Sequence, residues 1–143
     1  FPVDPAYNVV AGLKPAAEEI VVMMPTSTGQ MRKMRQVGTM EFTLKGQPMS
    51  LVSWHEVDAP DMNRLTLMFS DMTSGTETYA AGRYLDLERT ASGIYALDFN
   101  QAYHPYCYYN PSYDCPYPPP ENRLKIPIHA GERMKKPAAA PSR

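Results

Sequence analysis

Thr39-Met-Glu-Phe-Thr-Leu-Lys-Gly-Gln-Pro-Met-Ser-Leu-Val-Ser-Trp-His55 is the stretch that decides the fold. Met40, Phe42 and Leu44 fall on one face of an extended chain, and Thr39, Glu41 and Thr43 on the other. That alternation marks a half-buried antiparallel strand. Lys45-Gly46-Gln47-Pro48 is turn chemistry. The chain then returns through Met49, Leu51 and Ser53, opposed to Ser50, Val52 and Trp54. Two such runs around a tight turn are a β-hairpin.

The same grammar continues in both directions. Upstream, Tyr7 to Leu13 and Glu19 to Met24 read as strands, with Ala16-Ala17-Glu18-Glu19 as a single helical turn between them. Thr26-Ser27-Thr28-Gly29 is a turn, and Met31 to Gln36 alternates but is too polar for a buried strand. Downstream, Asp58-Ala59-Pro60-Asp61 breaks the chain before Arg64 to Ser70, whose Leu65, Leu67 and Phe69 face inward. Tyr79 to Leu87 and Ile94 to Phe99 are joined across Thr90-Ala91-Ser92-Gly93 in the pattern of a second hairpin. Leu124 to Ala130 reads as a last strand, placed at an edge by Pro127. No segment carries an extended i, i+3, i+4 apolar pattern. The expectation is all-β: one antiparallel β-sandwich or distorted barrel.

Length and charge narrow the function classes. The chain has 143 residues, 43% hydrophobic and 20% charged, with a net charge of −1, values of one soluble globular domain. A near-neutral chain does not advertise the basic face of a nucleic-acid binder. The clusters Arg32-Lys33-Met34-Arg35 and Arg133-Met134-Lys135-Lys136 read as solvated surface. No apolar run has the length of a membrane span. Residues 1–132 form the expected domain and 133–143 a flexible tail. The first residue is Phe1, which points to a processed or trimmed chain.

Asp98 to Arg123 is unlike the rest. It holds both cysteines, 6 of the 10 tyrosines and 6 of the 15 prolines. Proline at this density excludes a regular helix or central strand, and the aromatic content is too high for a solvated linker. The segment is expected to wrap one end of the domain as an ordered cap. Three readings of its cysteines stand open. Cys107 and Cys115 are spaced for a disulfide if the chain turns back. His104, Cys107 and Cys115, completed by His129, His55 or Glu121, make a mixed set suited to zinc. Or the two are buried thiols packing as small hydrophobes. A Cys107 thiolate activated by His104 or His129 is a further, weaker reading. A reduced pair suits the cytoplasm and a bonded pair a secreted protein.

A second constellation is polar. Asp71, Thr73, Ser74, Glu77 and Thr78 precede Tyr79 and Arg83, and Asp98, Asn100, Glu121, Asn122 and Arg123 follow later. Buried polar groups must be paired whether or not they do chemistry, so loop support is the plainer role. The functional role is a small-molecule pocket walled by Tyr79, Tyr84, Tyr103, Tyr106 and Trp54, with Asn100, Arg83 and Arg123 supplying polar contacts. For acid–base catalysis the candidates are Asp71, Glu77 and Asp98. Thr73-Ser74-Gly75 lacks the strand–elbow–helix setting of a hydrolase serine.

Three motif groups then resemble a bacterial and archaeal domain of unknown function, DUF1684. The first is Phe69-Ser-Asp-Met-Thr-Ser-Gly-Thr-Glu-Thr-Tyr-Ala-Ala-Gly-Arg-Tyr-Leu85. The second is Leu97-Asp98-Phe99-Asn100 with Ala102-Tyr103, Pro105-Tyr106-Cys107 and Asn110. The third is Cys115-Pro116, Pro118 to Leu124, and Ile128-His129-Ala130-Gly131-Glu132. The resemblance spans Phe1 to Glu132 and implies a fold, not an activity. It also implies further chain before the Phe1-Pro2 pair. The sequence departs from the resemblance at His104, where Asn is expected, and at Ser70, where Arg is common.

The favoured reading of function is a non-catalytic module that binds a small molecule or a protein. Its alternatives are a small enzyme using the Asp/Glu/Arg cluster and a structural component of a larger assembly. Zinc is the one cofactor the residues suggest.

Overall fold

Leu44 pairs directly with Gln47 in the structure, so the loop of the central hairpin is Lys45-Gly46 alone. Both loop residues have positive φ, 53° and 77°, the geometry whose twist matches two antiparallel strands. Pro48 belongs to the returning strand, opposite Thr43. The computed structural model describes residues 1–135. Its strands are β1 (Asn8–Pro25), β2 (Met31–Leu44), β3 (Gln47–Glu56), β4 (Arg64–Phe69), β5 (Arg83–Glu88) and β6 (Ile94–Asp98). They form one antiparallel sheet in the order β5-β4-β3-β2-β1-β6. The all-β expectation holds.

Three local expectations are corrected, and a fourth, that Met31 to Gln36 is too polar for a buried strand, fits a strand that is mostly unburied. Ala16 to Glu19 is no helical turn: β1 runs through it, with a register shift between Pro15 and Ile20. Met31 to Gln36 is the outer half of a 14-residue β2. It reads as polar because only Met34 of that half is buried. β5 and β6 do not pair with each other; β5 pairs with β4 and β6 with β1, at opposite edges of the sheet. Turn residues at Thr90 to Gly93 license a reversal but do not choose the neighbour. Here the connection crosses the seam, held by Arg89 N–H on the Asn63 carbonyl and by Leu13 N–H on the Gly93 carbonyl. Finally, Leu124 to Ala130 joins no ladder, although Ile128 and Ala130 are fully buried.

The sheet curls until its edges nearly meet. Just past β6, Tyr103 exchanges two backbone hydrogen bonds with Tyr84 of β5, at 2.9 and 3.0 Å. The result is a nearly closed barrel. Its interior holds Leu44, Leu51, Leu65, Leu67, Phe69, Leu85, Leu97, Phe99 and Ile128. Phe99 is the hub, with ring centroids 5.8 Å from Phe42 and 5.5 Å from Phe69. Each such side chain contributes about 1.5–3 kcal/mol by leaving water, so this interior outweighs the smaller outer cluster of Met24, Met34, Trp54 and Met68.

One seam inside the sheet needs a side chain. β3 and β4 pair directly only at Trp54 and Thr66. Two residues on, where Val52 faces Met68, the Asn122 carboxamide inserts. Its oxygen accepts from Val52 N–H at 2.8 Å, and its NH2 donates to the Val52 and Met68 carbonyls, each at 2.9 Å. The amide reproduces the hydrogen bonds of a missing rung. Flanking it, Ser70 N–H donates to the Asn122 carbonyl and Leu124 N–H to the Ser70 carbonyl.

Asp98 to Arg123 is ordered as an irregular cap containing two 3-10 turns and one helical turn, α1 (Tyr106–Tyr109). Of the expected 133–143 tail, Arg133 to Lys135 are described, with Met134 N–H on the Glu77 carbonyl at 2.8 Å. The rest lies outside the described residues.

Candidate functional site

Arg83 opens β5 immediately after Gly82, whose φ of 110° only glycine adopts easily. A Cβ at Gly82 would also collide with the Phe69 carbonyl. This tight passage sends the Arg83 side chain inward, where it is 1% exposed. Its guanidinium donates to Asp71 at 2.8 Å and to the carbonyls of Ile128, Ala130 and Glu132. Asp71 is equally buried, and its other oxygen accepts from the Thr73 N–H and hydroxyl. Burial lowers the Arg83 pKa and the Asp71 charge opposes that shift. Arg83 therefore organises the chain from Ile128 to Glu132, which explains why that segment is extended without a ladder.

The other candidate carboxylates have separate neighbours. Glu77 lies at the surface, 3.0 Å from His129 and 3.8 Å from Arg133. Asp98 accepts from the backbone and side chain of Asn100. Asn100 in turn holds the backbone of Asp4 through both of its amide atoms. The structure thus sets Asp71, Glu77 and Asp98 in three different environments.

Cys107 and Cys115 are both buried and both free thiols, neither bonded to the other. The Cys107 N–H donates to the Cys115 sulfur at 3.2 Å, closing the loop between them. Burial, then the contact with Cys107, pushes the Cys115 thiol up to about 11. His104 is buried beside α1, its Nε2 accepting from Tyr79 N–H at 3.3 Å and its ring 4.4 Å from that of Tyr108. Among the described residues no three His, Cys, Asp or Glu side chains converge as a metal set. Tyr79 packs on Tyr108, and burial, followed by Cys107, pushes its hydroxyl up to about 12. Tyr79 and Arg123 share a shallow concavity with Tyr117 and Pro118 to Pro120. Tyr106 is 73% exposed and rests on Tyr113.

The structure does bring Tyr84 and Tyr103 together, on the outer face of β3, β4 and β5. Their rings meet edge to face at 5.9 Å. The Tyr84 hydroxyl donates to the Pro116 carbonyl and that of Tyr103 to Asp86. Burial first, and in Tyr103 the Asp86 bond second, raises both hydroxyls above the ordinary tyrosine range. With Met34, Met68, Ala59 and Pro60 they line a cleft of about 340 Å³.

Its rim is charged. Arg32 is committed, with Nε 3.2 Å from Glu56 and Nη2 2.7 Å from Asp114. Arg64 is not: its side chain is 58% exposed and its nearest carboxylate, Asp86, is 4.0 Å away. Thr66 adds a hydroxyl, 3.3 Å from Asp86. Glu56, Arg64, Thr66 and Asp86 were not singled out by sequence, and Arg32 was read only as solvated surface, whereas it is ion-paired to Glu56 and Asp114. The signal available was period-2 alternation: Thr66 and Met68, like Tyr84 and Asp86, oppose the inward Leu65, Leu67, Leu85 and Leu87.

The family model described as "Protein of unknown function (DUF1684)" matches residues 1–133. Among solved structures, one similar chain is an uncharacterized protein from Haloarcula marismortui determined by solution NMR. It is 33% identical, with a TM-score of 0.77, and the match covers 94% of this chain and 74% of that one. No curated protein matches the sequence.

Proposed function

The chain belongs to the DUF1684 family, whose description assigns no activity, and from that premise we propose that it is a non-catalytic binding module for a small planar molecule carrying an anionic group. The observation that carries this reading is the tyrosine-walled cleft with an exposed cation at its mouth, Arg64, whose ion pair with Asp86 is long at 4.0 Å. Tyr84 and Tyr103 have their hydroxyls tied to the protein, so their rings are held in place before any ligand arrives. A preformed wall reduces the ordering cost of binding. A volume of about 340 Å³ suits a compact molecule. Arg64, 58% exposed and 4.0 Å from Asp86, can turn to fork onto a carboxylate or similar anion.

The support is chemical complementarity. A flat apolar body fits between Met34, Met68 and the tyrosine rings, while its charged end meets Arg64. Trp54 is the single tryptophan of the chain and pairs across strands with Thr66 on the cleft floor, so its fluorescence reports occupancy.

The test is a panel of aromatic carboxylates and their neutral amides, read by Trp54 emission and thermal midpoint. Carboxylates are expected to raise the midpoint more than the amides, and Arg64→Gln to erase that difference while leaving the unliganded midpoint unchanged. No response to any member at millimolar concentration, or NMR shift changes confined to residues away from β4 and β5, would sink the reading.

A further inference from the structure

β1 continues beyond the reach of β6. The ladder with β6 ends at Gly12, whereas β1 stays paired with β2 through Pro25. Along Ile20-Val-Val-Met-Met24, therefore, one side of β1 bonds to β2 and no described strand lies along the other. Beyond this stretch the open side is taken: Tyr117 N–H donates to the Pro25 carbonyl, and Ser27 N–H to the Cys115 carbonyl. Before it, the irregularity between Pro15 and Ile20 bends the strand away. What remains is a slot five residues long. Ile20, Val21 and Met23 within it are 37%, 44% and 52% exposed.

Backbone parity identifies the groups that face the slot. In an antiparallel strand each residue points its N–H and C=O to the same side, and consecutive residues alternate. Pro25 points its carbonyl to the open side, so Met23 and Val21 do likewise. Val22, Met24 and Ile20 point to β2. The open edge thus offers two N–H and two C=O groups, all from Val21 and Met23.

We infer that this edge pairs with the same edge of a second copy, antiparallel about a two-fold axis at Val22. That register sets Val21 opposite Met23 of the partner subunit and the reverse. All eight edge groups of the two copies then pair in four reciprocal hydrogen bonds. Shifting the axis to Met23 sets Val21 opposite Pro25, which has no N–H and whose carbonyl is already bonded to Tyr117. Shifting it to Val21 sets Met23 opposite Glu19, inside the irregular stretch.

Side chains agree with the same register. Ile20 meets Met24 on one face and Val21 meets Met23 on the other, so every facing pair is apolar. Beyond the slot the positions opposite Pro25 and Thr26 are held by Tyr117 and Pro116, so Glu19 and Glu18 leave the edge at the irregularity after Pro15. An apolar edge left open is a template for strand addition, and its own sequence is the complement this one fits. A pairing this short lies at the small end of specific interfaces, so the dimer is expected to dissociate on dilution.

The experiment is sedimentation velocity on the protein across roughly a hundredfold concentration range, with amide hydrogen exchange at both ends of that range. A concentration-dependent dimer is expected, with at least tenfold slower exchange at Val21 and Met23 in concentrated samples. Val21→Lys and Met23→Pro should each yield a monomer at every concentration with an unchanged far-UV spectrum. Met23→Pro removes an edge donor that β2 does not use. A wild-type monomer throughout, a dimer that survives both variants, or a dimer without added protection at Val21 and Met23 would each overturn the inference.

Discussion

Arg83 and Asp71 form an ion pair of 2.8 Å in which neither side chain is more than 1% exposed. The pair lies between two loops rather than in a pocket: Arg83 Nη1 and Nη2 also donate to backbone carbonyls, and the other Asp71 oxygen accepts from the Thr73 N–H and hydroxyl. Removing one member leaves the other charged, dry and unpaired. Asp71→Asn and Arg83→Met should each lower stability by about 3–5 kcal/mol, measured by urea denaturation. The double variant should cost clearly less than the sum, because the second substitution removes the orphaned charge left by the first.

Asn122 should be as sensitive although it carries no charge. Its carboxamide satisfies two backbone groups of β3 and one of β4. Asn122→Ala strands them and should cost at least about 2 kcal/mol, since each unsatisfied buried group costs roughly 1–3 kcal/mol. Asn122→Asp should cost more than Asn122→Ala. A carboxylate cannot donate to the two carbonyls and sets a negative charge against them. Denaturant midpoints of the two variants give the order directly.

His104 gives stability a pH dependence of known sign. Burial lowers its pKa, only partly opposed by Glu132. Below the ordinary histidine value of about 6.5 the unfolded chain takes up a proton that the folded site resists. The contribution of His104 is therefore complete above about pH 6.5 and is lost as the pH falls through the lowered folded value. His104→Asn, whose amide oxygen can accept the Tyr79 N–H, should flatten the stability profile below about pH 6.5. Thermal midpoints across that range, wild type against variant, check the slope.

The two thiols should be unreactive in the folded protein. Both are buried, and the Cys115 thiol is pushed up to about 11, so little thiolate exists near neutral pH. A chromogenic disulfide reagent at pH 7.5 should label fewer than one thiol per chain until denaturant is added, then two. Rapid labelling of the native protein would contradict the burial.

The parts of the fold legible in the sequence are those that alternation alone decides. Thr39 to His55 and Arg64 to Phe69 each bury one face, and a one-residue slip would expose it. Partner choice was not legible at β5 and β6, because the residues Thr90 to Gly93 are compatible with a hairpin and with a crossing. Leu124 to Ala130 looks like a strand because its residues are buried in alternation, yet the Ile128 and Ala130 carbonyls are satisfied by a side chain 45 and 47 positions away. The role of Arg83 was hidden for the same reason: a guanidinium on a ligand and one on a loop have identical sequence signals. Tyr84 and Tyr103 were singled out as aromatic, but the rim residues Arg64 and Asp86 look ordinary until cross-strand register sets them side by side.

The Asn122 wedge imposes an order on events during synthesis. β1 to β6 are all made before Asn122 is joined to the chain, yet the rung between Val52 and Met68 is supplied by that residue. Until then the nascent sheet carries an unfilled seam between β3 and β4. Completion of the sheet is thus a late step that waits for the return of Asn122 to β3 and β4, and a stalled or shortened product ending before Asn122 should present that seam to chaperones and proteases.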